Sequence, residues 1–472
     1  MEKILLIATY IPQEREKYSR LLPPIGLLSI AAPLIKNGYD VILIDPMLHH
    51  NYMELIEDAV TRHNVLFVGM TTYVGHNLVT ARELSQFIKT KSKKVKIVWG
   101  GPFATSSPEL CLEHGFVDYV VRGMGEHSIV ALVEHIRKNQ GYPKIPNVCF
   151  RTDNGIEIGD NYFFDGDINE FYFPELSLWQ EGIKRINCIP IISSRGCTRN
   201  CSFCYNNSFI GRKKWYGRSV EGILNEMEYW RDFFSINNFY FVDDNFLIDT
   251  KRSVKILRES LNRGYTIEGL LGNLSDWKPE IVEIINPGLV KNVGFAIESA
   301  SLRIQELLNK RVDIEKALTF FSMFSAKNIK TIKTAFMFGL PTETDEDILE
   351  SVELAYRISE IDERIRILAY IYNPQPKDDI TVRLIASNHR IDFSIDLLSL
   401  SDLVPIRENF LSSELRPWMG GDDIQFYLDF IRVWYYCFDH VVRQDPDIDL
   451  DVDLILKRNR RVYRLFKGVL LR

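Results

Sequence analysis

The chain has 472 residues, 57 Lys and Arg against 63 Asp and Glu, and a formal charge of −6. That length predicts two or three domains. A hydrophobic content of 46% and an aromatic content of 12% exclude wholesale disorder, and the slightly acidic balance gives no basis for a nucleic-acid partner. No stretch approaches about 18 uninterrupted apolar residues, so no membrane span is expected. The start, MEKILLIATYIP, lacks a basic leader region and reads as a first strand. The expected location is cytoplasmic.

Residues 1–139 alternate short apolar segments with helical ones. Candidate strands fall at 3–9, 41–45, 65–72, 96–101 and 118–123, with helical stretches at 26–38, 53–63, 80–91 and 128–139 between and after them. Such βαβ units build a parallel sheet with right-handed connections. An α/β domain of the Rossmann or flavodoxin type, a doubly wound parallel sheet, is therefore expected, with its ligand crevice at the carboxyl ends of the strands. The segments there are Thr71-Thr72-Tyr73, Gly100-Gly101-Pro102 and Arg122 to Glu126. None matches GxGxxG, which disfavours an ordinary dinucleotide site.

The rhythm breaks over 140–187, where a hairpin turning at Asn154-Gly155 and an aromatic stretch at 159–176 read as an inter-domain linker. It resumes over 188–374 with six candidate strands, at 188–194, 238–243, 265–271, 290–298, 331–339 and 364–371. Helical stretches lie at 220–234, 251–263, 279–286, 302–310 and 346–360. Ser219 is the expected N-cap of the first. Six repeats predict a (β/α)6 partial TIM barrel, again working at its strand carboxyl ends. Residues 375–472 are expected to be mostly helical, capping the barrel on the substrate side. Their aromatic helix with Trp434, Tyr435 and Tyr436 reads as core, and the basic stretch 457–467 as a solvated helix face.

Seven cysteines without a leader argue against a disulfide framework. Cys111, Cys149, Cys188 and Cys437 are scattered and read as buried thiols. Cys197, Cys201 and Cys204 form CxxxCxxC directly after a strand. Thiolates suit zinc, copper(I) or iron–sulfur clusters. Structural zinc requires four closed ligands, and no histidine lies between His135 and His389. Three cysteines on a cubane leave one iron open to a ligand. The adjacent His49 and His50 lack further ligands and read as an ordinary loop.

In context these residues resemble the radical S-adenosylmethionine (SAM) superfamily. The motifs are SRGCTRNCSFCYN, the helix WYGRSVEGILNEMEYW, FVDDNF, FAIESAS and FMFGLPTETDED, in order over about 190–372. The segments PPIGLLSIAAPLIKNGYDVILID, WGGPFATSSPE and VRGMGE resemble the cobalamin-binding domain that precedes the barrel in one class of that superfamily. The resemblance implies a 4Fe–4S cluster on Cys197, Cys201 and Cys204, which carry the catalysis, with Phe203 against the SAM adenine. Asp243 and Asp244 would meet the SAM amino group, Glu298 and Ser299 its ribose or methionine part, and Gly339, Leu340 and Pro341 its adenine. Asn273, at another strand end, joins this SAM set. For cobalamin it implies Thr71, Thr72 and Tyr73 beneath the corrin, with Gly100, Gly101, Gly123 and Glu126 around the nucleotide tail. A DxHxxG motif with its axial histidine is absent.

The activity so implied is reductive cleavage of SAM to a 5′-deoxyadenosyl radical and methylation of an unactivated carbon. The substrate would be a small molecule or peptide, and a flavodoxin or ferredoxin would be the reductant. The competing readings are a radical dehydratase, epimerase or cyclase that transfers no methyl group, and a non-catalytic iron–sulfur protein. Where the family often has a Pro-Gly-Thr-like segment after the sixth strand, this chain has Tyr372-Asn-Pro-Gln-Pro-Lys377, so substrate identity is not inferred by analogy.

Overall fold

The computed structural model describes residues 2–10, 21–138, 141–159, 166–211, 213–327, 329–391, 393–394, 414–438 and 451–471. Within these, the chain divides into two compact units. One holds 1–190 and 205–236 with 393–394; the other holds 191–204 with 237–391, 414–438 and 451–471.

The first unit is built on a seven-stranded sheet. Its strands are β1 (Lys3–Ile7), β2 (Asp40–Ile44), β3 (Val65–Thr71), β4 (Lys96–Gly100), β5 (Tyr119–Val121), β6 (Val148–Thr152) and β7 (Gly155–Glu157), in the order β2-β1-β3-β4-β5-β6-β7. Strands β1 to β5 pair in parallel, with crossover helices at Ile25–Lys36, Tyr52–Arg62 and His76–Lys91. Helices on both faces explain why β1 reads as an unbroken apolar run: Ile4 to Ile7 are fully buried. The order 2-1-3-4-5 is the flavodoxin type, and its direction reverses between β1 and β3.

The stretch expected to be a linker behaves differently in its described part. Strand β6 pairs antiparallel with β5, and β7 with β6, so the hairpin widens the first sheet. Its turn sits on Asp153-Asn154, one residue before the expected pair, because the Thr152 hydroxyl accepts from Asn154 N–H and Gly155 takes φ +131° as the first residue of β7. Further on, Trp179 is buried and its indole N–H donates to Asp45 Oδ2 at 2.7 Å, at the end of β2. Part of the aromatic stretch, 160–165, lies outside the described residues.

In the second unit the barrel strands run parallel wherever their pairing is described. The expected strand at 265–271 is two short pieces, Thr266–Ile267 and Leu270–Leu271, which belong to different sheets. Ile267 turns from Asn238–Phe241 to form a parallel bridge with Val290, so the gap at Glu268-Gly269 is a change of partner. The long strands Thr331–Phe338 and Ile365–Ile371 alternate strictly between buried and half-buried residues. Phe336 and Phe338 pack on Trp434, while Lys333, Ala335 and Met337 occupy the opposite, less filled face.

Helix starts follow local chemistry. Ser219 caps Val220–Phe234 as expected, Asp249 caps Thr250–Asn262, and Thr344 forms a capping box with Asp347. A helix at Ile314–Ala326, capped by Asp313, was not anticipated. Its core-facing Phe320, Phe321 and Phe324 crowd one turn and blur the polar face that periodicity needs.

In the C-terminal region, helix Gly421–Phe438 lies along the last strand of the sheet. Trp434 Nε1 donates to Ile367 O at 3.0 Å and Tyr435 Oη to Ala369 O at 2.9 Å, which satisfies carbonyls that an open sheet edge would leave bare. The basic stretch is tied down by acids: Arg461 pairs with Asp345 and Asp423, and Arg458 with Asp429. Among the described residues, no helix is long and apolar enough to cross a membrane.

Candidate functional site

Gly196, at φ +82°, turns the chain out of strand Ser194–Gly196 into the cysteine loop. Cys197, Cys201 and Cys204 are all half-buried. The loop is pinned at several points. Ser202 N–H donates to Leu308 O at 2.9 Å, Asp379 N–H to Ser202 O at 2.8 Å, and Asn309 Nδ2 to Asn200 O at 2.7 Å. Arg199 N–H points at Cys197 Sγ at 3.5 Å, while its guanidinium pairs with Asp276 and reaches Ser275 Oγ at 2.8 Å. Burial pushes the Cys197 and Cys201 thiols up. Arg199 pulls Cys197 back toward thiolate, and Lys310 does the same for Cys201.

The acidic residues at the neighbouring strand ends have distinct surroundings. Asp243 follows strand Asn238–Phe241, and both its oxygens are engaged: Ser193 N–H donates to Oδ1 at 2.8 Å, and the Ser193 and Ser194 hydroxyls donate to Oδ2. Burial raises its pKa, and those donors oppose the rise. Asp244 Oδ2 accepts from Gly196 N–H at 2.8 Å, directly before the first cysteine. Asn245 Nδ2 donates to Asp276 Oδ2 at 2.7 Å, and Asn273 begins the short turn Leu274–Asp276. Asp243 therefore serves the backbone of the loop, while Asp244 stands nearer to the cysteines.

Glu298 is buried at a strand end with φ +69°, a left-handed conformation that is strained for any residue with a Cβ. Its backbone is held from both sides: its N–H donates to Ala335 O and its carbonyl accepts from Met337 N–H at 2.7 Å. Its carboxylate meets Lys310 Nζ at 2.8 Å, and both side chains are largely buried. Ser299 is buried behind it, within 3.2 Å of Ser301 N–H.

Lys310 is the member the sequence reading missed, because the helix was extended over 302–310. The helix is Leu302–Leu307, and Asn309 at φ +49° follows it, which frees Lys310 to turn inward. Asn309, directly before Lys310-Arg311, was the available signal for that stop.

Gly339, at φ +72°, ends strand Thr331–Phe338. A Cβ there would come within 2.6 Å of Met419 Cε and 3.0 Å of Ile371 Cγ2. Its N–H donates to Glu343 Oε2 at 2.6 Å and its carbonyl accepts from Trp418 Nε1 at 3.1 Å. Pro341 is buried. Leu340 joins Ile304, Leu308, Tyr372 and Ile380 in an apolar cluster against which Phe203 and Trp418 pack. The cysteine loop, the Glu298–Lys310 pair and the Gly339–Pro341 turn thus lie at one end of the strands.

In the first unit the expected ligand residues also gather at strand carboxyl ends. Thr72 N–H and hydroxyl both donate to Gly100 O, and Thr9 Oγ1 donates to Thr71 O at 2.7 Å. Gly101 takes φ +91°, and a Cβ on it would stand 2.7 Å from Thr71 Cγ2. Gly123 N–H donates to Thr105 Oγ1 at 2.8 Å. Thr72 and Glu126 are buried, whereas Tyr73 is 47% exposed. Thr72 therefore shapes the rim through hydrogen bonds. An open depression of about 650 Å³ near Lys89, Lys93 and Asp118 lies at the opposite, amino-terminal edge of the sheet.

Both sites fit the groups the motifs imply. Among the described residues no three His, Cys, Asp or Glu side chains converge on a single ion. An iron–sulfur cluster spreads its cysteine ligands over separate irons and needs no such convergence. The first unit offers a glycine rim with exposed aromatic rings at Tyr10 and Tyr73, suited to a large flat ligand. Of the scattered cysteines, Cys111, Cys149 and Cys188 are buried, and Cys437 is half-buried instead.

Comparison with known proteins finds two family matches along the chain. Residues 16–133 match the model of the B12 binding domain, and residues 191–355 that of the radical SAM superfamily. The chain is 24% identical over 438 residues to an uncharacterised methyltransferase of Pyrococcus horikoshii, covering 90% of this chain and 93% of the relative. It is 23% identical over 416 residues to cytidylyl-2-hydroxyethylphosphonate methyltransferase of Streptomyces wedmorensis, with 76% and 77% covered. Among solved structures, the radical SAM methyltransferase TsrM of Kitasatospora setae, with cobalamin and a [4Fe-4S] cluster bound, superposes with a TM-score of 0.67 at 16% identity. That match covers 82% of this chain and 75% of TsrM. The cobalamin-dependent SAM radical enzyme OxsB matches with a TM-score of 0.67 at 13% identity over 99% of this chain and 80% of its own.

Proposed function

We propose that this chain, which belongs to the radical SAM superfamily in the class with an N-terminal cobalamin-binding domain, is a cobalamin-dependent methyltransferase that cleaves SAM reductively and methylates an unactivated carbon. What carries the reading is the pairing of a pinned three-cysteine loop with a buried Glu298–Lys310 pair at one barrel end, in a chain that aligns over 90% of its length with a methyltransferase. The 4Fe–4S cluster, when bound, supplies the electron that breaks the SAM sulfonium bond, and cobalamin carries the methyl group.

The chain's own residues do the rest. Cys197, Cys201 and Cys204 would hold the cluster. Lys310, between Cys201 and Glu298, favours the thiolate form and fixes the carboxylate that faces the SAM methionine or ribose part. Asp244 stands where the SAM amino group is received. Phe203, Leu340 and Pro341 line an apolar side for the adenine and keep water away from a reactive intermediate. In the first unit, Tyr73, with the turns at Gly100, Gly101 and Gly123 and with Glu126, would hold cobalamin. The substrate is a small molecule or peptide, and a flavodoxin or ferredoxin delivers the electron.

The test is anaerobic reconstitution with iron, sulfide and cobalamin, followed by turnover with SAM, a reductant and candidate substrates. Formation of both 5′-deoxyadenosine and S-adenosylhomocysteine supports the methyltransferase. Formation of 5′-deoxyadenosine alone points to the non-methylating reading, to which the 26% identity with an anaerobic magnesium-protoporphyrin IX monomethyl ester cyclase of Synechocystis, over 51% of this chain, lends some weight. Formation of neither would sink both.

A further inference from the structure

Arg416 carries a charge that no carboxylate among the described residues pairs with. Its side chain is fully buried. Nε donates to Tyr372 O at 3.0 Å and Nη2 reaches Asn373 Oδ1 at 3.4 Å, whereas Nη1 has no hydrogen-bond partner among the described residues. No carboxylate among the described residues forms an ion pair with it. The acid next along, Asp378, is engaged elsewhere: it accepts from Tyr372 Oη, Gln375 N–H and Thr381 N–H. Burial lowers the guanidinium pKa to about 10, so it stays protonated at neutral pH. An unpaired buried charge of this kind weakens a fold unless something else compensates it.

Its position is as telling as its isolation. Tyr372 and Asn373 directly follow strand Ile365–Ile371, so Arg416 sits at the carboxyl end of the sixth strand. Two residues on, Trp418 donates to Gly339 O at the end of the fifth strand, and its ring lies 6.0 Å from that of Tyr372. Phe203 of the cysteine loop packs on the same apolar cluster as Tyr372 and Trp418. The C-terminal segment thus delivers one unbalanced cation to the end of the barrel that holds the cysteines.

Building on the reading of that end as the reacting face, we propose that the guanidinium of Arg416 binds an anionic oxygen group of the substrate, a carboxylate or phosphoryl-type oxyanion, so that the enzyme takes an oxyacid substrate. The guanidinium fork matches such groups and cannot lose its proton there. The cost of burying it is then balanced only when the substrate is present.

The experiment is thermal melting of cluster-reconstituted protein titrated with inorganic phosphate or acetate, against chloride at equal ionic strength, with and without saturating SAM. Wild type should show a saturable rise in Tm with at least one oxyanion, undiminished by SAM. Arg416→Met should weaken that affinity about 10-fold to 100-fold, and Arg416→Lys about 10-fold. Ligand-free Arg416→Met should melt at or above wild type, because an apolar side chain replaces an unpaired charge.

Absence of a saturable oxyanion effect in wild type would overturn the proposal, as would unchanged affinity in Arg416→Met. Competition by SAM would assign the cation to the SAM carboxylate instead, and that too would defeat it. If Arg416→Met fails to fold, wild-type affinity in Arg416→Lys would reduce the residue to a structural clamp. Protein that binds phosphate but never cleaves SAM would sink the functional reading alone. Protein that cleaves SAM and ignores both oxyanions would sink this one alone.

Discussion

The two units solve the same problem with opposite materials. Each places its candidate site where parallel strands end, yet the first builds its rim from Gly100, Gly101 and Gly123 and backbone hydrogen bonds, with an exposed ring at Tyr73. The second builds with charge: the largely buried Glu298–Lys310 pair, half-buried Asp243 and exposed Asp244 after strand Asn238–Phe241, and the fully buried Arg416, which has no ion-pair partner among the described residues. A rim of small residues recognises shape and suits a large, preformed ligand. Fixed charges in a poorly solvated place act on a reacting group, because their field is little screened there. The strained backbone of Glu298 belongs to this second strategy.

The sharpest way to break the comparison is to remove one thiolate. Cys201→Ala should abolish cluster assembly and 5′-deoxyadenosine formation while circular dichroism stays native, since the residue lies in a loop. Cys111→Ala should keep full iron content. Retained SAM cleavage in Cys201→Ala would mean that the second site does not run on this loop. Next in size, Glu298→Gln leaves Lys310 without its counter-ion and should cost about 3 kcal/mol of stability, with weakened SAM binding by calorimetry. A urea midpoint equal to wild type would show that the pair is not coupled to the fold.

Gly101→Ala tests the first strategy. Its Cβ would meet Thr71 Cγ2 at 2.7 Å from a left-handed backbone, which should cost about 1 to 3 kcal/mol. Cobalamin affinity should fall and iron content should not. The smallest ligand effect is expected for Tyr73→Ala, about a tenfold loss of cobalamin affinity with iron content unchanged. Equal loss of Tm with and without hydroxocobalamin would make Tyr73 a packing residue.

A pH experiment sharpens the charged side. Glu343, buried and accepting from Gly339 N–H and Tyr427 Oη, has its pKa pushed up to about 8 by burial. With the folded value raised above the unfolded one, its contribution is complete below about pH 4.5 and is lost as pH rises through 8. Glu343→Gln should therefore flatten the decline of stability between pH 5 and 8 in urea titrations. An unchanged pH profile would show that Glu343 is ionised in the native state.

Much of this was legible from residues alone, because the signals were local. CxxxCxxC after a strand, the strand–helix rhythm, the Ser219 cap and the glycines after β4 and β5 each depend on neighbours a few positions away. The hairpin at Asn154-Gly155 was also visible, but its partner was not, since whether a ribbon stands free or widens a sheet is a matter of which edge lies open.

The sequence by itself determined the order of elements, the three thiols and the strand ends at which chemistry gathers. Only tertiary structure decided which of those strand-end groups remain available. Asp243 is consumed by Ser193 and Ser194, fifty residues earlier in the chain. Lys310 reaches Glu298 because a helix stops three residues before it. Arg416 ends beside Tyr372 with one N–H edge unpaired among the described residues. Residue types state what a side chain can donate or accept, but burial and competition among distant partners determine what it has left to offer.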